Sequence, residues 1–160
     1  MASKNLEPTK YAQHRYNITQ PVDFDVAINY GAALMAIAGA DGELAEAEFQ
    51  WYVDEQELLL KNPEEYVETL RKLDWKSVNF EEVLGGISYT FPLNFRRSML
   101  YQAIKMSRAD GAYHDREKAA VAKAAEILGI ERSVVVSLES MAELEDASER
   151  LRLALFETEV

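Results

Sequence analysis

The feature that most constrains this chain is an internal duplication. Ala109-Asp110-Gly111-Ala112-Tyr113-His114-Asp115-Arg116-Glu117 matches the earlier stretch Ala40-Asp41-Gly42-Glu43-Leu44-Ala45-Glu46-Ala47-Glu48 without gaps, at an offset of 69 residues. Ala, Asp and Gly are identical, a large side chain follows two places on, and Glu closes both copies. Each copy follows a long apolar segment and opens a segment of helical composition. A helix-loop-helix unit is therefore present twice. The period exceeds that of common solenoids and only two copies occur, so the chain is expected to fold as one pseudo-symmetric domain and not as an array.

The residue types explain the loop. Gly directly after Asp admits a positive φ, so the chain turns sharply while the carboxylate stays at the turn. Leu44 and Tyr113 are the natural anchors for the loop's middle. Glu48 and Glu117 fall about one turn into the next helix. From there a Glu reaches back to open backbone N–H groups, or joins Asp41 or Asp110 in offering oxygen to a cation. Both roles need an acid at this spacing, which does not separate them. Ala45 and His114 stand where a capping box would place Ser or Thr; Glu46 and Asp115 are candidate caps one residue later.

The 160 residues suffice for one domain with a sizeable core. A net charge of −11 argues against a duplex nucleic-acid face and against an anionic membrane surface, and suits cations or a basic partner. The absence of cysteine removes thiolate metal sites, disulfides and thiol redox chemistry, and fits a reducing compartment. No secretory signal is read at the N-terminus. The apolar run from Val26 to Ala40 is too short to span a bilayer and reads as a core helix.

Residues 1–21 read as a polar tail packed through Tyr11 and Tyr16, and 22–160 as the domain. Helices are expected over about 24–39, with Phe24, Ala27, Ile28, Gly31, Met35 and Ala38 on one face, and over 46–60, with Phe49, Tyr52, Val53, Gln56 and Leu60 inward. Between Asp41 and Leu60 lie seven acids and no Lys or Arg. Asn62-Pro63-Glu64-Glu65 starts a third helix that ends near Asp74, with Asn62 as cap. Asn79 caps the next, to about Tyr89. Pro92 opens another to Arg108, carrying Phe95, Met99, Ala103 and Met106. A sixth runs over 115–128 and stops at Gly129. Val134, Leu138, Met141, Ser148, Leu151 and Leu155 then continue at helical spacing, as one helix or as two with a break near Asp146. No strand alternation is evident. The fold class is all-α: a single-domain bundle of two pseudo-symmetric helix-loop-helix halves with about seven helices.

Few residues carry chemistry. His14 lies in the tail. His114 lies in the second loop beside Asp110, Asp115 and Glu117, as a solvated loop residue or a metal ligand. No nucleophile framework and no phosphate loop is present. The loops are not EF-hands, because Gly comes second and the third and fifth positions lack paired acids. One loop offers too few oxygens for tight binding. Two loops together offer Asp41, Glu48, Asp110 and Glu117, with Glu43, Glu46, His114 and Asp115 as possible additions. Such a cluster repels itself unless a cation or basic partner neutralises it. The plainer alternative is that each Glu caps its own helix, far from the other.

The paired Ala-Asp-Gly loops, each followed by Glu at this spacing, resemble the TerB-like domain of tellurite-resistance proteins, over roughly Phe24 to Leu155. The resemblance implies an all-helical bundle of two halves and an acidic metal site at Asp41, Glu48, Asp110 and Glu117. It also implies a cytoplasmic role in bacterial stress responses, with protein partners in larger assemblies. Ala45 and His114 depart from the family's small hydroxyl residues. The expectation is a non-catalytic, metal-associated protein that binds calcium, magnesium, manganese or zinc, with no nucleic acid and no membrane insertion. The other classes are a metal-independent interaction module with an acidic docking face, and a metal-dependent hydrolase, which needs an open coordination position and a base.

Overall fold

The computed structural model describes residues 4–40 and 42–157, and of Thr90 the backbone alone. Among the described residues are eight α-helices: α1 (Lys10–Tyr16), α2 (Phe24–Ala38), α3 (Glu46–Leu59), α4 (Glu64–Arg71), α5 (Phe80–Thr90), α6 (Leu93–Arg108), α7 (Asp115–Leu128) and α8 (Arg132–Glu157). A shift of 69 residues carries α3 onto α7 end to end and α2 onto α6 less its last residue. The all-α bundle with a duplicated helix-loop-helix is thus observed. No helix among the described residues is long and apolar enough to cross a membrane.

The two equivalent helices α2 and α6 form the centre. Every residue from Gly31 to Ala38 is buried, and so is every residue from Ser98 to Ser107. Helices buried on all sides must be apolar nearly all round, which accounts for the alanine-rich composition of α2. α3, α5, α7 and α8 pack around this pair. The helix ends follow local chemistry. Asp23 accepts from the Val26 N–H at 3.1 Å, Asn79 from that of Glu82 at 3.2 Å, and Gly129 closes α7 at φ 70°.

Three local readings are corrected. Residues 5–6 and 22–23 pair as two short antiparallel strands, β1 (Asn5–Leu6) and β2 (Val22–Asp23). Two-residue strands carry no alternation, so the sequence does not announce them. The N-terminal segment also contains α1, capped by Thr9 and closed by Asn17 in the left-handed region, with Leu6, Ala12 and Tyr16 in the core. Asn62 does not cap α4. Its carbonyl accepts from the Glu7 N–H at 3.1 Å and its amide donates to the Asn5 carbonyl at 3.3 Å. The N-terminal strand competes successfully for a side chain that local sequence assigns to the helix.

α8 is one unbroken helix, the first of the two alternatives that the spacing left open. Its packed face follows the expected apolar stripe only at the start: Val134 and Leu138 pack against the core beside buried Val135 and Ala142, whereas Met141, Leu151 and Leu155 are exposed. Acids add to its contacts. Glu139 accepts from Tyr113 at 2.9 Å and Glu145 from Tyr101 at 2.5 Å. Asp146, near which a break was one of the two alternatives, takes Lys105 and, at 2.8 Å, Arg108 of α6.

The turns at the two loops depend on glycine, since Gly42 has φ 102° and Gly111 φ 89°. A Cβ at Gly111 would meet nothing within 4 Å, so the cost of Gly111→Ala is conformational and not steric. We expect a loss of about 1–2 kcal/mol. Urea denaturation should show a lower midpoint with an unchanged slope; an unchanged midpoint would mean that the turn tolerates a side chain.

Candidate functional site

Each loop leaves its central helix, turns at glycine and enters an outer helix, and its hydrogen bonds repeat at the offset of 69. The Gly42 N–H donates to the Gly39 carbonyl at 2.9 Å, and the Gly111 N–H to that of Arg108 at 3.0 Å. Ala45 and His114 occupy the cap positions with matching extended backbones (φ −63°, ψ 147° and φ −70°, ψ 154°). Neither cap side chain accepts a hydrogen bond. The back-reaching half of the box is intact: Glu48 Oε1 accepts from the Ala45 N–H at 2.9 Å, and Glu117 Oε1 from the His114 N–H at 3.1 Å. Glu46 and Asp115 are first helical residues and not caps.

Capping is only half of what these glutamates do. Glu48 is 1% exposed and Glu117 0%, although one comes from each repeat. Their side chains lie within hydrogen-bonding reach of each other. The second oxygens, Oε2 of Glu48 and Oε2 of Glu117, are buried and receive no donor. Two ionised carboxylates offer acceptors only, so the pair bonds directly only by sharing a proton. Burial above all, with the hydrogen bond to Glu117 and the charges of Glu117 and Asp110, raises the Glu48 carboxyl to about 8 against the lowering effect of the Ala45 N–H. The duplication thus brings one acid of each half to a common interior point.

The other candidates are placed as follows. Asp110 is exposed, accepts from the Ala112 N–H at 3.0 Å, and is close enough for its charge to act on Glu48. Asp41 lies outside the described residues. Glu43, Glu46, His114 and Asp115 are exposed. Among the described residues no three His, Asp or Glu side chains group closely enough to enclose an ion. Leu44 and Tyr113 pack against the core as anchors. What sequence reading missed is the contribution of α8, whose Glu139 holds the Tyr113 hydroxyl. No local signal marks Glu139, since it lies 26 residues from its partner.

Of the seven acids between Asp41 and Leu60, Glu48 and Glu55 are buried. Glu55 accepts from Tyr11 at 2.7 Å and Tyr16 at 3.2 Å, with Arg15 at 4.0 Å. The acidic face of α3 therefore presents fewer charges than its composition indicates.

The donor set fits an oxygen-seeking cation. Two buried carboxylate oxygens lack donors, one from each repeat, and the charge of exposed Asp110 also acts on Glu48, although these three do not by themselves enclose an ion. The backbone N–H groups of Ala45 and His114 hold the opposite oxygens and fix both carboxyls in place.

Comparison with known proteins places this geometry. The family model of tellurite resistance protein TerB matches residues 49–139, which include the second loop and begin one residue after Glu48. A crystal structure of a tellurite resistance protein from Nostoc punctiforme superposes with a TM-score of 0.74 at 26% identity, covering 94% of this chain and 92% of that one. No curated protein matches the chain. With the family model covering more than half of its residues, and with the duplicated loops in equivalent settings, the chain belongs to the TerB tellurite-resistance family.

Proposed function

We propose that this chain is a non-catalytic, tellurite-resistance-like stress-response protein that binds one divalent cation where its two repeats meet. The observation that supports this reading is the pair of buried, donorless oxygens of Glu48 and Glu117, contributed by equivalent positions of the two halves. Glu48 and Glu117 would hold the ion from the interior and Asp110 from the rim, with Asp41 as the fourth ligand by its place in the motif. An ion there supplies positive charge that neutralises acids otherwise in mutual repulsion. All-oxygen ligands favour calcium, magnesium or manganese, and recruitment of His114 would favour zinc. Protein partners and a cytoplasmic setting belong to the same proposal, on the strength of the family.

Calorimetric titration of chelator-treated protein with the four ions tests it. Saturating cation should stabilise the fold by about 2.7 kcal/mol at a hundredfold excess over its dissociation constant. At roughly 2–4 °C per kcal/mol for a chain of this size, the melting temperature should rise by about 5–10 °C. Asp41→Asn and Asp110→Asn should each lose most of that rise, and the double variant should lose no more. If the acids only cap their helices, no ion shifts the melting temperature and the two costs add. His114→Ala should weaken zinc alone; equal weakening of calcium would exclude His114 as a selective ligand.

A further inference from the structure

The outward stripe of α8 has a spacing of its own. Met141, Leu144, Ser148, Leu151 and Leu155 follow one another at alternating steps of three and four residues. That is the pattern of a coiled-coil seam, which is completed by a facing helix. At about 3.6 residues per turn the stripe lies roughly half a turn round from buried Val135 and Ala142, so it points away from the bundle. Leu144, Leu151 and Leu155 are 71%, 63% and 66% exposed. Past Asp146 the helix runs on for about three turns with every residue from Ala147 to Glu157 exposed. A helical segment this short is marginal in water unless an apolar face of it is packed.

The charges beside the stripe select the facing helix. Along one edge stand Glu145 and Arg152. Glu145 is held by Tyr101 at 2.5 Å and Arg15 at 2.8 Å, and exposed Arg152 reaches Glu149 at 3.9 Å. In an antiparallel pair of α8 helices, Leu144 of each copy can meet Leu155 of the other, and Ser148 can meet Leu151. Glu145 of each copy then faces Arg152 of the other, so the ion pair forms twice, and the central layers set a small side chain against a large one. Sliding the pair by one heptad puts Glu145 on Glu145 or Arg152 on Arg152. A parallel pair sets Arg152 against Ala147 and stacks Ser148 on Ser148. Of these alignments, the first alone matches both the apolar positions and the charges.

We propose that α8 pairs antiparallel with α8 of a second copy of this chain, through Leu144, Ser148, Leu151 and Leu155 and with Glu145–Arg152 ion pairs along one edge. The seam spans about 17 Å. An interface of this size belongs to the weak class, so the dissociation constant is on the order of 10 μM. The pairing uses the face of α8 opposite its bundle contacts and does not depend on a bound cation.

Sedimentation equilibrium of the full chain from about 1 to about 500 μM should carry the mean mass from that of one chain towards that of two. Leu151→Glu should weaken the pairing at least about tenfold, whereas Leu153→Glu, at a leucine 48% exposed but off the stripe, should leave it within about twofold. Both sites are exposed and glutamate keeps helix propensity, so both variants should melt with the parent. The chain has no cysteine, so Ser133→Cys accepts a single spin label at an exposed position near the start of α8. In the antiparallel pair the two labels should lie about 50 Å apart. A separation under about 20 Å would mean parallel helices and would overturn the proposal. So would a chain that stays monomeric throughout, leaving the stripe to some other protein. Equal loss in the two glutamate variants would also overturn it, as the mark of unspecific association through exposed leucines.

Discussion

In Glu48→Gln we expect cation affinity to fall by about two orders of magnitude while the cation-free protein becomes more stable above pH 7. The two effects share one cause. Glutamine keeps the oxygen that accepts from the Ala45 N–H, so the helix cap survives. Its new amino group donates to Glu117 Oε2, which otherwise has no donor. What is lost is one desolvated charge opposite the ion, a change of about 2–5 kcal/mol at buried charge pairs. The pH dependence follows with its sign. Burial, together with Glu117 and Asp110, raises the Glu48 carboxyl to about 8 in the fold, against about 4.3 in the unfolded chain. Between those values the folded protein holds the extra proton. Its stabilising effect is complete below the unfolded value and is lost as pH rises towards 8, by at most about 1.4 kcal/mol per pH unit. Urea denaturation of the chelated parent from pH 5 to 8 should trace that decline. Glu48→Gln should flatten it, and so should saturating calcium. A parent whose stability is level over this range, matched by the variant, would refute the paired-carboxylate account.

Asp146→Ala should cost about 3–5 kcal/mol, the largest single-site loss expected outside the apolar core. The Lys105 side chain is 6% exposed and has Asp146 as its partner, and Arg108 reaches the other Asp146 oxygen at 2.8 Å. Burial alone would raise the Asp146 carboxyl, but the hydrogen bonds and charges of Lys105 and Arg108 outweigh it and hold the group below its ordinary range. Its contribution is therefore present at neutral pH and is lost only as pH falls through that lowered value. Without the aspartate, an ammonium is left buried and unpaired, and of the ties between α8 and α6 the hydrogen bond of Tyr101 to Glu145 remains. The melting temperature should drop by about 6–20 °C. Adding Lys105→Met to Asp146→Ala should restore more than half of the loss. If Asp146→Ala melts within 2 °C of the parent, by about the resolution such stabilities allow, the cluster is ornamental.

These cases also mark what the sequence made legible. The offset of 69 foretold which helices correspond, because a repeated loop with an obligatory positive φ leaves little freedom in the elements around it. Asn79 and Gly129 act where they stand, through neighbours three or four residues away, and were readable for that reason. Asn62 was misread because its partners, Glu7 and Asn5, arrive from 55 and 57 residues away. α8 was misread in another manner. Leu138 packs inward as its spacing predicts, but Leu151 and Leu155 face outward, and acids add contacts that a hydrophobic pattern does not register. At the candidate site the spacing of Glu48 and Glu117 was equally consistent with capping and with convergence. The structure shows the capping directly and places Glu117 near enough for its charge to act on Glu48, a proximity that linear spacing does not express.

The divided carboxyl bears on how such a chain can change over generations. In a simple duplication each copy is free to drift, and one commonly decays once the other suffices. Here each glutamate organises the start of its own helix and also defines the electrostatic surroundings of its twin. A replacement of Glu117 alters the ionisation of Glu48, so the two positions are not independent. Meanwhile Gly39 and Arg108, or Ala33 and Gln102, have diverged at equivalent places. The two halves have diverged at such places while keeping the Ala-Asp-Gly turn and the glutamate that follows it.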